Sequence, residues 1–231
     1  GIFLMCGVLG IAIKNPGEKE FELVRRLFVE SMIRGKHATG VSYVKDGKVH
    51  TIKEPVDAYT FINSKDISSW ANEDGNLYCI GHVRYSTSDL AYNQPMATEE
   101  LSIVHNGVIS QENPEQWKGT FGYDVITKND SELILRCLEA GEVPLHKFHP
   151  SSMSVCTLDK DKVITAFRNE ARPLHYSYAS NGIIFASTAD ILKRSGLSFQ
   201  VTAPMFEVFI VENFKVISYN KYEFPTIEDL Q

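Results

Sequence analysis

Met5-Cys6-Gly7-Val8-Leu9-Gly10-Ile11-Ala12-Ile13 is the stretch whose reading decides the rest of this chain. From Cys6 onward it is apolar, partly β-branched and punctuated by Gly7 and Gly10, the pattern of a buried strand. A cysteine in such a run has two readings. It packs as a small hydrophobe, since free cysteines are among the most buried residue types. Alternatively, Met5 is the initiator or the first five residues are removed, and Cys6 becomes the N-terminal residue. It then carries a thiol with an ordinary pKa of about 8.5 and an α-amine near about 7.7–8.0. Near neutral pH that amine is a competent general base, and the thiolate is a strong nucleophile. One residue would supply both parts.

The whole chain narrows the field further. Its 231 residues suit one large domain or two small ones, with a substantial core. A hydrophobic share of 43% and a charged share of 23% are ordinary for a globular protein. The net charge of −6 argues against a nucleic-acid partner held by phosphate neutralisation. Four cysteines (Cys6, Cys79, Cys137, Cys156) show neither CxxC pairing nor zinc-like spacing with histidine, so no metal and no cofactor is expected. Cys79, Cys137 and Cys156 sit in apolar patterns and read as structural. Unpaired cysteines fit a cytoplasmic location. No apolar run approaches the length of a membrane span, and Gly1–Met5 is too short for a signal peptide.

Outward from the first strand, Glu18–Arg34 has helical periodicity through Phe21, Val24, Leu27, Phe28 and Met32, with Gly35 placed as its stop. Val41–Val44 and Val49–Ile52 flank Asp46-Gly47, a two-residue hairpin signal. Val56–Asn63 reads as a short helix and Ser64–Asn76 as irregular. Leu77–Val83 and Leu101–Ile109 read as strands, the latter interrupted by His105-Asn106-Gly107. Asn129-Asp130 reads as the N-cap of a helix over Ser131–Glu139. Met153–Leu158 with Val163–Phe167, and His175–Tyr178 with Ile183–Ala186, read as hairpins. A short helix at Ala189–Arg194 and strands near Phe206–Val211 and Lys215–Tyr219 follow. With no repeat and no linker, the pattern predicts one strand-rich α+β domain over 1–231.

Four stretches stand out by their chemistry: Cys6-Gly7; Arg34-Gly35-Lys36-His37-Ala38-Thr39-Gly40; Gly81-His82-Val83-Arg84-Tyr85-Ser86-Thr87 with Asn93-Gln94-Pro95; and His105-Asn106-Gly107 with Asn129-Asp130-Ser131-Glu132. In this order they resemble the glutaminase domain of class II (N-terminal-nucleophile) glutamine amidotransferases, with wording closest to the amidophosphoribosyltransferase branch. Arg172-Pro173-Leu174 and Phe185-Ala186-Ser187-Thr188 extend the resemblance to about Leu192. It implies a four-layer αββα sandwich of the N-terminal-nucleophile hydrolase type. It implies Cys6 as nucleophile, Asn106 and Gly107 as oxyanion hole, and a glutamyl thioester intermediate. Arg84 would clamp the α-carboxylate of L-glutamine through paired hydrogen bonds. Asp130 would neutralise the α-ammonium, a role it shares or contests with Ser131, and Tyr85, Ser86 and Thr87 would complete the pocket. Taken singly, Asn106-Gly107 is a hairpin turn, Arg84 a surface salt bridge and Asp130 a helix cap. Arg34 and Gly35 read as support for the first strand, and His82 and His105 as structural histidines rather than bases.

Residues 1–5 leave the Cys6 nitrogen in a peptide bond, so they are expected to be a cleavable propeptide or extra upstream residues, and the unprocessed chain to be inactive. The length predicts a glutaminase module that delivers ammonia to a separate synthase or transferase chain, or releases it outright. Two other functions share these residues: an amidohydrolase of the same fold acting on a γ-glutamyl compound, and a catalytically silent glutamine-binding domain.

Overall fold

Strand β1 (Gly7–Ile13) is buried at all seven positions because both its faces are covered. Leu9, Ile11 and Ile13 join one apolar core, whereas Val8 and Ala12 join another on the opposite face. That alternation is the two-residue period of a strand. The structure, a computed structural model, describes residues 6–86, 90–149 and 151–219. Residues 1–5 and Thr87 therefore lie outside the described residues.

Chain order continues through α1 (Glu18–Glu30), β2 (Ala38–Lys45), β3 (Lys48–Glu54), α2 (Ala58–Asn63), β4 (Leu77–Arg84), β5 (Met96–Ala97) and β6 (Leu101–Asn106). Next come α3 (Trp117–Phe121), α4 (Glu132–Glu139), α5 (Pro144–Lys147), β7 (Ser154–Asp159) and β8 (Ile164–Arg168). The chain then forms β9 (His175–Ala179), β10 (Gly182–Ala186), α6 (Ala189–Arg194), β11 (Val201–Thr202), β12 (Val208–Glu212) and β13 (Lys215–Tyr219).

Two antiparallel sheets result. The first has the order β11-β9-β10-β1-β4-β2-β3, and the second β13-β12-β8-β7-β6-β5. Their facing sides share a core through Val8, Tyr78, Ile80, Val104, Cys156, Phe185 and Phe209. Helices α1, α2 and α6 close the outer face of the first sheet through Phe28, Phe61 and Leu192. Helices α3, α4 and α5 close the second through Trp117, Leu133 and Leu145. The layers are helix, sheet, sheet, helix, which is the expected αββα sandwich.

Several local expectations change. Helix α1 ends at Glu30 and passes into a single 3₁₀ turn, Ser31–Ile33, instead of running to Arg34. Gly35 is not a left-handed stop: a Cβ there would lie 2.4 Å from the Arg84 carbonyl carbon and 2.5 Å from the Tyr85 nitrogen, so close backbone approach is what demands glycine. The polar stretch before β4 holds a 3₁₀ turn, Ile67–Trp70, whose two apolar residues are fully buried. Strand β6 stops at Asn106 rather than Ile109. Of the expected cap at Asn129-Asp130, Asn129 Oδ1 accepts from the Ser131 N–H at 3.0 Å just ahead of α4, whereas the Asp130 carboxylate accepts from the Ile109 and Ser110 N–H groups at 2.6 and 3.1 Å.

Phe28 is the keystone of the outer core, in ring contact with Phe61 and Trp70 and lying over Gly81 of β4. Phe28→Ala is expected to cost about 3–5 kcal/mol, read as a lowered urea midpoint with unchanged slope.

Candidate active site

The N-terminal end of β1 and the C-terminal end of β6 meet, although they belong to different sheets. The Cys6 N–H donates to Asn106 Oδ1 at 3.3 Å, and Arg34 Nε donates to the Cys6 carbonyl at 3.1 Å. Pairing of Gly7 with Val83 brings the end of β4 alongside, and there the Tyr85 backbone N–H faces the Cys6 sulfur. A cavity of about 420 Å³ opens at this junction, lined by Cys6, Arg84, Tyr85, Ser86, Asn106, Gly107 and Asp130. That volume falls in the ordinary range for a small-molecule site. The seven described residues singled out from sequence therefore share one cavity; Thr87 is outside the described residues.

Asn106 is 1% exposed, and its amide is oriented by the Cys6 bond so that Nδ2 has no hydrogen-bond partner among the described residues. Leaving such a donor buried and unpaired costs about 1–3 kcal/mol. Gly107 follows at φ +140°, and a Cβ there would stand 2.1 Å from the Ser152 carbonyl oxygen. No other residue fits, which is a stricter demand than a hairpin turn makes.

Arg84 is no surface ion pair. Its Nη1 donates to Asn93 Oδ1 at 2.6 Å and to the Tyr92 carbonyl at 3.3 Å. Asn93 is fixed in turn by Lys53, whose Nζ donates to the Asn93 and Pro95 carbonyls, both at 2.9 Å. The guanidinium is thus held on the cavity wall by neutral acceptors, and among the described residues no carboxylate pairs with it. Asp130 stands on the same cavity with both backbone bonds on Oδ2.

Beneath the cavity lies a buried polar net. His105 Nδ1 contacts Ser131 Oγ at 2.8 Å and its Nε2 contacts the Ser152 carbonyl at 3.1 Å. Gln94 accepts from the His105 N–H and donates to the His105 carbonyl and to Ser131 Oγ. His82 Nε2 reaches the same His105 carbonyl at 3.2 Å. Burial lowers the pKa of both histidines, that of His82 to about 3. They are neutral scaffold residues at physiological pH. Burial pushes the Cys6 thiol up, against the pull of the Tyr85 N–H and of Arg84, Arg34 and Arg172.

Several of these partners escape sequence reading. Gln94 lies in a quoted motif, but its three bonds were not foreseeable. Lys53 is an ordinary charge on a polar strand, and nothing in its neighbourhood marks it. Trp117, at the head of α3, also lines the cavity and is 2% exposed, yet it reads simply as apolar.

Residues 82–194 match the glutamine amidotransferase domain family. The glutamine–fructose-6-phosphate aminotransferase (isomerizing) of Shouchella clausii is 30% identical over 206 residues, covering 80% of this chain and 32% of that protein. Its counterpart from Bartonella henselae is 31% identical over 154 residues, covering 61% and 23%. The chain therefore spans about a third or less of these relatives. In fold it is similar to the Bacillus subtilis glutamine phosphoribosylpyrophosphate amidotransferase solved with ADP and GMP (TM-score 0.69, 16% identity, 93% of this chain and 49% of that one). It is also similar to a glutamine aminotransferase class-II domain protein from Silicibacter pomeroyi (TM-score 0.56, 12% identity, 93% and 98%).

The buried histidines set an acid limit on stability. Above about pH 6.5 they are neutral in folded and unfolded chains alike; below it the unfolded chain takes up protons that the folded one refuses. Stability is therefore lost as pH falls from about 6.5 toward the folded value of about 3 for His82, by up to about 1.4 kcal/mol per pH unit per histidine. Urea unfolding between pH 7 and 5.5 should show this slope, and His82→Gln should make it shallower by about one proton.

Proposed function

The chain carries a class II glutamine amidotransferase domain of the N-terminal-nucleophile type, and on that premise we propose that it hydrolyses the side-chain amide of L-glutamine through Cys6. With residues 1–5 removed, the Cys6 α-amine takes the thiol proton as sulfur attacks the amide carbon. The resulting oxyanion is met by Asn106 Nδ2 and the Gly107 N–H. Collapse expels ammonia, which leaves with the proton held by the amine, and a glutamyl thioester remains. Water, deprotonated by the same amine, attacks the thioester; glutamate departs and the thiol regains its proton.

The observation that carries this reading is the Asn106 amide. Its oxygen holds the Cys6 nitrogen while its buried Nδ2 keeps a hydrogen bond in reserve at the cavity. A free α-amine would make the same bond to Oδ1, so one side chain would orient the base and receive the oxyanion. Arg84 takes the α-carboxylate and Asp130 the α-ammonium, with Tyr85 and Ser86 forming the pocket around them. The ammonia goes to an acceptor outside this sandwich, a synthase or transferase unit. No described helix is long and apolar enough to cross a membrane, and the four free cysteines support a cytoplasmic setting.

Intact mass paired with glutamate release tests the proposal. Protein whose mass begins at Cys6 should release glutamate from L-glutamine, Cys6→Ala should release none, and protein retaining residues 1–5 should be inactive. Asn106→Ala should lower kcat about 10²–10³-fold, the usual effect of losing one oxyanion donor. Release from γ-glutamyl peptides but not from glutamine would move the assignment to an amidohydrolase. Glutamine binding without turnover by protein beginning at Cys6 would make this a silent binding domain.

A further inference from the structure

His37 stands in the middle of the motif that begins at Arg34, and the glutamine chemistry above gives it no role. Its neighbours in that motif already bear on the site from behind. Arg34 Nε donates to the Cys6 carbonyl, and a Cβ at Gly35 would stand 2.4 Å from the Arg84 carbonyl carbon. His37 continues this contact along the chain. Its backbone N–H donates to the Arg84 carbonyl at 3.0 Å, and Ala38, the next residue, pairs with Arg84 in the register of β2 against β4.

The side chain reaches past the end of that pairing. Its Nδ1 accepts from the Ser86 N–H at 3.0 Å, and its ring stands edge-on to that of Tyr85, with centroids 5.2 Å apart and planes at 67°. One residue thus touches Arg84, Tyr85 and Ser86 in succession, and all three line the cavity. Strand β4 ends at Arg84, so the ladder stops there and the imidazole supplies the next acceptor in place of a strand carbonyl. Accepting from an N–H leaves no proton on Nδ1, so the neutral ring carries its proton on Nε2. His37 is half-buried and outside the cavity lining, so it acts on the pocket through these three residues.

We propose that His37 is a positioning residue for the glutamine pocket: its Nδ1 extends the edge of β2 as a side-chain acceptor and holds the chain leaving β4, so that Arg84 and Ser86 keep their places on the cavity wall. The inference rests on the reading of this cavity as a glutamine site with Arg84 at the α-carboxylate. The Arg84 guanidinium is fixed at its far end by Asn93 Oδ1 and the Tyr92 carbonyl. His37 fixes the backbone end of the same residue. Pairing of a guanidinium with a carboxylate is directional, so loss of one anchor weakens the grip on the amino-acid end of the substrate. Cys6 and Asn106 stay joined by their own hydrogen bond. The signature is weaker substrate binding with little loss of turnover.

Steady-state glutamate release by protein beginning at Cys6 tests this with substitutions that differ in where an acceptor stands. His37→Leu has none and should raise KM for L-glutamine about tenfold, with kcat within about threefold of the parent. His37→Asn puts Oδ1 where Nδ1 stood and should bring KM back to within about twofold. His37→Gln carries its oxygen one bond further out, at the Nε2 position, and should resemble the leucine variant. If circular dichroism shows the leucine variant unfolded, His37→Ala replaces it with the same expected rise. An unchanged KM in the folded apolar variant, or an equal rise in the asparagine variant, overturns the role of His37 and leaves the glutamine reading standing. A proton found on Nδ1 in nitrogen-15 NMR of the neutral ring does the same. A parent beginning at Cys6 that releases no glutamate overturns the glutamine reading, and this inference with it.

Discussion

The hydrogen bond between the Cys6 N–H and Asn106 Oδ1 ties the two sheets together at the cavity, beside the His82–His105 contact, while an apolar core fills the space between them. It sits where β1 begins and β6 ends, so each sheet delivers one half of the site. Neither half is chemically complete alone. The apolar layer between the sheets sets their spacing, and that spacing sets whether the cysteine nitrogen and the asparagine oxygen are in range. A core of Val8, Ile80, Val104 and Cys156 is thus part of the site's geometry without touching the cavity. Close packing of this kind transmits small changes in volume as displacement.

Around that bond the interior is unusually polar. His82, His105, Gln94, Ser131 and Asn106 are all buried, and most of their hydrogen-bonding groups are satisfied by one another. The exception is Asn106 Nδ2, at the cavity. A satisfied net stiffens its surroundings, and an isolated orphan within it marks where an additional partner is accommodated. Arg84 follows the same logic, being held on the cavity wall by the Tyr92 carbonyl and the Asn93 amide oxygen.

Much of this was legible in the sequence because it depends on local pattern. The two-residue alternation of β1, the Asp46-Gly47 turn with both φ values positive, and the helix at Ala189–Arg194 follow from side-chain chemistry alone. The chemistry-bearing residues were recognisable as a set because their order along the chain is distinctive. What could not be read is what depends on distant partners. Gly35 resembled a helix stop because it follows an amphipathic run, but its constraint comes from the backbone of Arg84, far along the chain. Asp130 resembled a cap because a helix begins near it, yet its carboxylate serves the loop beyond β6. Lys53 acts only through Asn93, and no periodicity encodes that relation.

The central place of β1 also bears on how the chain comes to be folded. Its Val8 N–H is satisfied by Ser187 Oγ, 179 residues away, and its two strand neighbours are β4 and β10. The first strand of the sandwich in chain order is thus among the last to gain both its partners. Long-range antiparallel pairing of this sort slows folding, since loop closure precedes the contacts that reward it. Until β10 is made, an apolar segment bearing a cysteine stays half-paired, the kind of exposed edge that favours association between nascent chains.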